Sequence, residues 1–462
     1  MVSVKKVEDE ITLSFDRGTL VLRCSPIMFA NLKELHDLFL WDERVHAYRG
    51  MASAYTAAEA ALKNEKHCVN TVAFRGGKTG HWTKIPLRPY QMSALVAWES
   101  QASRGIVALP TGAGKTRIAM AAMAASNQSA LCIVPTRILL EQWVKEIRAF
   151  YSGPVGVLGD GQKTLERITV ATFESAYRQM PRLGHRFDLL IVDEVHHFGG
   201  GVRDEALAMS IAAKRLGLTA TKPEDSGQLS KLCELVGPVV FEKGIRDLAG
   251  RYLSEFEIIT VSVHLNPVEK LKYDREARVF KSFYRAFCAR NPRSEWRDFT
   301  KFASMSSEGK LALAAFFRSR RIVSLTEAKW LALTQILHRH RKQKTLIFTA
   351  ETGAAYKLSK TLMIPSITGD IGRAERSEIL ENFASGNVRA LVSCKVLNEG
   401  LDVPDSEIAI IVGGSSSGRE HVQRIGRILR PVPGKKALVY ELVAKGTHEE
   451  NHSRQRGKPF AQ

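Results

Sequence analysis

Through much of the chain, short unbroken apolar runs alternate with stretches whose apolar residues recur every three or four positions. Ile106 to Leu109, Ala130 to Val134, Ile168 to Ala171, Leu189 to Val192 and Leu216 to Thr219 have the composition of strands covered on both faces. Arg117 to Ala125 is Ala-rich and reads as a helix, and Leu139, Leu140, Trp143 and Ile147 mark one face of another. A second alternation starts near Lys344, with strands expected at Thr345 to Thr349, Ser366 to Thr368, Ala390 to Cys394, Ile408 to Val412 and Leu438 to Leu442. Strand and helix in turn predict an α/β fold built on two parallel sheets.

Three stretches depart from that rhythm. Glu10 to Leu22 reads as a hairpin, followed by a helix expected near Asn31 to Leu40 and an Ala-rich helix from Ala52 to Lys63. Residues from about 265 to 325 form a helical insertion in which Phe280, Phe283, Tyr284, Phe287, Trp296, Phe299 and Phe302 interleave with cations. From Glu269 to Arg321 there are fourteen Lys or Arg and six Asp or Glu. Such a stretch fits either a nucleic-acid grip or amphipathic helices whose rings are core. The polar, basic tail from Lys445 to Gln462 is expected to be loosely ordered.

The first alternation carries a phosphate-loop signature. The strand from Ile106 runs into Pro110, Thr111, Gly112, Ala113, Gly114, Lys115 and Thr116, and a helix follows. Strand, Gly-rich turn and helix let backbone N–H groups face phosphate oxygens. Lys115 would reach the β- and γ-phosphates, and the Thr116 hydroxyl would ligate Mg²⁺. Leu109 stands where the general pattern has its first glycine, a departure found in helicase-type loops.

A nucleotide site also needs a carboxylate on the metal side. Asp193 and Glu194 follow the apolar run Leu189 to Val192, at the carboxyl end of a strand, where open α/β sheets bind ligands. Asp193 would hold Mg²⁺ through water, and Glu194 would orient and deprotonate the attacking water. His196 is expected to couple this site to the neighbouring domain. A zinc site is the poorer alternative, since the adjacent His196 and His197 project differently and no His-Glu-x-x-His spacing exists.

The second alternation contains no other Gly-Lys-Thr loop and supplies arginines instead. Between His421 and Arg430, helical spacing puts Gln423, Arg427 and Arg430 on one face, with Val422, Ile425 and Leu429 on the other. A row of guanidiniums suits a γ-phosphate, though a solvated basic helix face has the same pattern.

Charge narrows the partners. Lys+Arg 67 against Asp+Glu 48 gives a net charge of +19, which favours polyanions, nucleic acid before membrane. The first ten residues lack the apolar core of a signal peptide, and no run approaches the roughly 20 apolar residues of a bilayer span. Six scattered cysteines without Cys-x-x-Cys spacing fit a reduced, cytoplasmic compartment.

Taken in order, the runs Leu87-Arg-Pro-Tyr-Gln91, Leu109 to Thr116, Val134 to Arg137, Thr169 to Ser175, Asp193 to His196, Leu218 to Thr221, Val396 to Pro404 and Gln423 to Arg430 resemble the motifs of helicase superfamily 2. The wording of Asp193 to His197 and Gln423 to Pro431 is similar to the XPB-type DNA repair helicases, especially their short archaeal form. The resemblance implies two tandem RecA-like domains with ATP hydrolysed between them. It places a small α+β domain at 1–82, the first RecA-like domain at 83–243, and the second at 244–462 with the insertion as a thumb. It further implies that Arg88 and Gln91 contact adenine, that Ala220 and Thr221 link hydrolysis to strand movement, and that Gly400 and Asp402 sense ATP and the strand. The family's Arg-Glu-Asp element falls at Pro223-Glu224-Asp225, where a proline replaces the arginine.

The expected function is an ATP- and Mg²⁺-dependent DNA helicase or translocase of nucleotide excision repair or transcription. The alternatives are a double-strand translocase or remodelling ATPase without processive unwinding, and a non-motor phosphate-loop protein. Expected partners are DNA and a nuclease or a repair or transcription assembly, without a membrane. The chain would act as a monomer or in a hetero-complex, cytoplasmic and nucleoid-associated.

Overall fold

A computed structural model describes residues 11–64, 79–223, 225–292, 294–394, 406–413 and 436–457. Contacts divide the chain into two units, Met1–Lys243 and Gly244–Gln462. In the first, β1 (Thr12–Asp16), β2 (Thr19–Arg23), β3 (Phe39–Asp42) and β4 (Ala47–Met51) make an antiparallel sheet in the order β1-β2-β4-β3. Arg17 and Gly18 turn β1 into β2, both with positive φ, which matches the twist of a tight hairpin. The helix expected over Asn31 to Leu40 is not found. A helix over Pro26–Asn31 starts on a Ser25 cap, a 3₁₀ turn spans Lys33–Leu35, and Phe39 opens β3. Pairing with β4 and burial of Phe39 outweigh the local helical spacing.

The larger sheet of this unit contains β5 (Arg104–Ala108), β6 (Ala130–Val134), β7 (Val155–Gly159), β8 (Gln162–Thr164), β9 (Ile168–Thr172), β10 (Leu189–Val192), β11 (Lys214–Thr219) and β12 (Val239–Glu242). Their order is β12-β5-β11-β10-β6-β9-β7-β8. Every neighbouring pair is parallel except β7 with β8. Near the start of β11 lies Arg215, fully buried, with its guanidinium donating to the carbonyls of Leu207, Ser210, Ala212 and Leu235. Burial pulls its pKa down to about 9, with the charge of Arg104 adding to the effect. One side chain thereby supplies donors to carbonyls at the ends of several elements.

The second unit is likewise a parallel sheet: β13 (Glu255–Val263), β14 (Thr345–Thr349), β15 (Ser366–Ile367), β16 (Ala390–Cys394), β17 (Ile408–Ile411) and β18 (Lys436–Ala444), ordered β13-β18-β17-β14-β16-β15. Between β13 and β14 the insertion forms helices over Pro267–Arg290, Trp296–Ser304 and Ser307–Ser324. Its rings pack on one another. Phe299, with no exposed surface, meets Phe280, Phe283, Tyr284, Phe287 and Trp296 at centroid distances of 5–6 Å. The aromatics are therefore chiefly the insertion's own core, while Lys281, Arg285 and Arg290 face solvent.

The tail expected to be loose forms a helix over His448–Gly457. Lys329, fully buried, donates to Glu449 at 2.8 Å and to the Val412 carbonyl at 2.6 Å, and Glu449 accepts the Ala444 N–H at 2.9 Å. Next to this pair Tyr273, from the root of the insertion, accepts the His448 N–H. Burial, with Arg320, His452 and Lys329 nearby, pushes the His448 imidazole down to about 3.

The unfolded chain, with His448 near its ordinary 6.5, takes up a proton that the folded chain refuses between that pH and about 3. Stability of the second unit should therefore fall as pH drops through this window. Between pH 7 and pH 5, His448→Gln should lose about 2 kcal/mol less stability than the wild type in urea unfolding. Equal losses in both proteins would remove His448 as the cause.

Candidate nucleotide site

The strand order sets four carboxyl ends side by side: β5, β11, β10 and β6. The phosphate loop leaves β5, Thr219 ends β11, Asp193 follows β10, and Pro135 and Thr136 follow β6. Residues far apart in sequence share this edge because parallel strands all end on the same side.

Gly112 and Gly114 have φ of 84° and 74°, the left-handed region that a side chain disfavours. Gly114 also leaves no room for one, since an added Cβ would lie 2.5 Å from the Gln91 amide. The helix Lys115–Ser126 starts on Gly114, so its unpaired N–H groups open toward the loop. The Lys115 ammonium donates to the Leu109 carbonyl at 3.0 Å, across the mouth of the loop. Thr116 is half-buried in the first turn of the helix.

A second layer holds the loop from outside. Gln91, buried on the helix Pro89–Ser100, donates to the carbonyls of Ala113 at 2.9 Å and Gly114 at 3.3 Å. Its own carbonyl oxygen accepts the Arg88 N–H at 2.8 Å. Tyr90 adds a hydrogen bond of 2.7 Å to the Ala113 carbonyl. The structure thus gives Gln91 a role that the family resemblance does not suggest, as a clamp on the loop backbone.

Asp193 is buried, and each of its oxygens has one donor. The Glu194 N–H reaches Oδ1 at 3.0 Å and the Trp143 indole reaches Oδ2 at 2.9 Å. Burial pushes the carboxyl up from the ordinary carboxylate range, against the opposing pull of Lys115 and these two donors. Glu194 sits at φ 49°, in the left-handed region, an unfavourable conformation for a non-glycine residue that turns the chain sharply out of β10. Its carboxylate lies 3.4 Å from His196 Nδ1.

His196 Nδ1 also lies 3.1 Å from the Thr219 hydroxyl, which donates to the Thr221 carbonyl at 2.8 Å. With its proton committed there, Thr219 accepts from the imidazole. Gln228 holds the turn in place by donating to the His196 and Phe198 carbonyls, both at 2.8 Å. Asp225 caps the following helix by accepting the Gln228 N–H.

Lys115, Thr116, Asp193 and Glu194 are therefore brought to one edge, with Pro110, Thr111, Gly112, Ala113, Gly114 and Gln91 forming or bracing the loop. Arg88 lies at the start of the helix that carries Gln91. Gly400, Asp402, Gln423, Arg427 and Arg430 lie outside the described residues, as does Glu224. Sequence reasoning missed Thr219, Tyr90 and the indole of Trp143. Thr219 stood inside the Thr-Ala-Thr run, whereas Trp143 read only as a core position.

Comparison with known proteins matches three families along the chain. The Xeroderma pigmentosum group B helicase damage recognition domain matches residues 13–70, the type III restriction enzyme res subunit 84–224, and the helicase conserved C-terminal domain 328–432. The chain is 36% identical to a DNA 3'-5' translocase XPB2 from Sulfurisphaera tokodaii, covering 90% of this chain and 95% of that protein. It is 28% identical to a putative DNA 3'-5' helicase Rad25 from Halobacterium salinarum, covering 80% of this chain and 56% of that one. It is 27% identical to a DNA 3'-5' helicase XPB from Mycobacterium tuberculosis, covering 81% and 64%. The Hef helicase domain of Pyrococcus furiosus shares the fold, with a TM-score of 0.52 over 80% of this chain and 97% of that one, at 18% identity.

The clamp on the loop yields a test that separates two roles for Gln91. If the amide braces the loop backbone, Gln91→Ala should weaken ATP and GTP equally, by about tenfold or about 1.4 kcal/mol. Titration with fluorescent analogues of both nucleotides reads this directly. A loss confined to ATP would assign the residue to the adenine instead.

Proposed function

Because the chain belongs to the XPB family of superfamily 2 helicases, we propose that it hydrolyses ATP to move along DNA, and to open it, in excision repair or transcription. The observation that carries this reading is the convergence of Lys115, Asp193 and the Glu194–His196–Thr219 chain on one sheet edge. The reading divides the chain at 1–82, 83–243 and 244–462. The relatives carry 3'-5' polarity in their names, and the same polarity is proposed here.

In this mechanism the loop from Pro110 to Thr116 cradles the phosphates, and Lys115 exchanges the Leu109 carbonyl for their oxygens. Asp193 and Thr116 are hard oxygen donors that fit Mg²⁺, because each Asp193 oxygen keeps a lone pair beyond its single hydrogen bond. When bound, the cation neutralises phosphate charge. Glu194 takes the proton of the attacking water. The family resemblance assigns Gln423, Arg427 and Arg430 to the charge that develops on the γ-phosphate, and Gly400 and Asp402 to sensing nucleotide and strand; all five lie outside the described residues. The link from His196 to Thr219 carries the state of Glu194 to Ala220 and Thr221, the pair that the resemblance assigns to coupling hydrolysis with strand movement.

A second reading, translocation on duplex without processive unwinding, is favoured by Pro223 and by Asp225. The guanidinium of the family's Arg-Glu-Asp element is missing, and the Asp225 carboxylate is committed to capping a helix. A nuclease or a larger repair assembly as partner, and association with the nucleoid, complete the proposal. Among the described residues no helix is long and apolar enough to cross a membrane.

ATP turnover with single-stranded, forked and duplex DNA and with RNA, measured beside strand separation, decides between the two readings. Lys115→Ala should abolish turnover, and Glu194→Gln should retain ATP binding with loss of hydrolysis. Arg427→Ala should lower kcat by about 10³ or more with KM little changed, since it acts on transition-state charge. Normal hydrolysis by Glu194→Gln would remove it as the general base.

The exposed cations of the insertion give the second test. Arg285→Ala with Arg290→Ala should weaken DNA binding without nucleotide and reduce the slope of log K against log[salt] by about 2. DNA-free hydrolysis should be unaltered. An unchanged slope in a folded variant would move the grip elsewhere.

A further inference from the structure

Trp143 lies in the middle of the helix Arg137–Arg148, on the buried face with Leu140, Val144 and Ile147. A leucine or phenylalanine would satisfy the packing there; an indole brings an N–H that must find an acceptor in the core. The chain's other deeply buried tryptophan, Trp98, uses a backbone carbonyl, that of Arg215. Trp143 donates instead to the Asp193 carboxylate, fifty residues away in sequence. We propose that Trp143 is a positioning residue for the reaction: its indole N–H sets the plane of the Asp193 carboxylate and ties it to the helix Arg137–Arg148. The proposal rests on the reading of Asp193 as the carboxylate on the metal side.

Two donors on two different oxygens fix a carboxylate more firmly than one. The Glu194 N–H is local and moves with Asp193, whereas the indole belongs to another element and supplies an external reference. That element is held at both ends. Thr136 caps its start by accepting the Leu139 N–H. Beyond its last turn, residues 80–83 run antiparallel to 150–152: the Thr83 N–H donates to the Phe150 carbonyl at 2.8 Å, and the Ser152 N–H to the His81 carbonyl at 3.0 Å. The Trp82 and Tyr151 rings meet there at 4.8 Å, and a Cβ on Gly80 would come within 2.2 Å of the Gly153 nitrogen. A helix so fixed is a stable platform from which to aim a carboxylate. Groups that orient a metal-binding residue commonly govern metal affinity by 10–100-fold.

The test uses the full chain and a non-hydrolysable fluorescent ATP analogue, titrated with Mg²⁺ in the absence of DNA. Trp143→Phe keeps the ring and removes the N–H. It should raise the Mg²⁺ concentration for half-maximal tight binding by about tenfold, with metal-free nucleotide affinity unaltered. In turnover assays kcat should fall more than KM rises. Val144→Ala, which loosens the same helix without touching the bond, should lower thermal stability and leave the Mg²⁺ midpoint alone. A wild-type midpoint for Trp143→Phe, or an equal shift for Val144→Ala, overturns the proposal. Asp193→Asn separates this from the wider reading. If that variant keeps the normal Mg²⁺ dependence, the metal-side assignment fails and the proposal with it. If it loses the dependence while Trp143→Phe does not, the proposal alone fails.

Discussion

Parallel pairing puts the carboxyl ends of neighbouring strands along one edge of a sheet, and the chemistry of the first unit depends on that constraint. The register of β10 with β11 and β6, and of β11 with β5, sets the height at which each chain leaves the sheet. A slip of one residue would turn every side chain of a strand to the opposite face and break the meeting of His196 with Thr219. The strands are covered on both faces and mostly apolar, so such a slip would not expose them. Buried polar groups must then hold the register. Arg215 on β11, with four backbone carbonyl partners, is one that a shifted strand could not satisfy.

The same principle recurs at four polar side chains in the core. Gln91, Trp143, Arg215 and Lys329 are all buried, and each is bonded to groups distant in sequence. A buried donor without its partner costs about 1–3 kcal/mol, and a buried charge without its partner about 3–5 kcal/mol. Penalties of this size select one arrangement among compact alternatives that apolar packing alone would rank as equal. At the candidate nucleotide site the same penalties hold the proposed groups in place: Gln91 fixes the loop, and two donors fix the Asp193 carboxylate.

The sequence makes plain whatever is encoded within a few residues. Continuous apolar runs marked the strands, and Gly112 and Gly114 marked the positive-φ turn between β5 and the helix Lys115–Ser126, because backbone freedom must sit at fixed spacing there. Contacts across the sheet were invisible. Gln91 lies 22 residues from the carbonyl it holds, and Trp143 lies 50 from Asp193, so neither bond leaves a local pattern. The helix expected from Asn31 to Leu40 failed for the same reason, since its spacing matched a helix while β4 offered a better partner. Polarity misled in the tail: His448 to Gly457 looks like solvated chain until Glu449 meets Lys329.

The topology of the second unit also governs the order in which it can form during synthesis. Its first strand, β13, pairs along its whole length with β18, which follows about 170 residues later. Lys329 likewise waits for Glu449. Until those late residues emerge from the ribosome, β13 lacks its neighbour and a lysine meant for the core has no counter-charge. Only the root of the insertion waits for them, where Tyr273 meets His448 and Ala444; its outer part depends on neither, because the rings around Phe299 form a core of their own. That part is therefore suited to fold early, as an independent hairpin of helices, while the sheet that bears it stays open and exposed to chaperones.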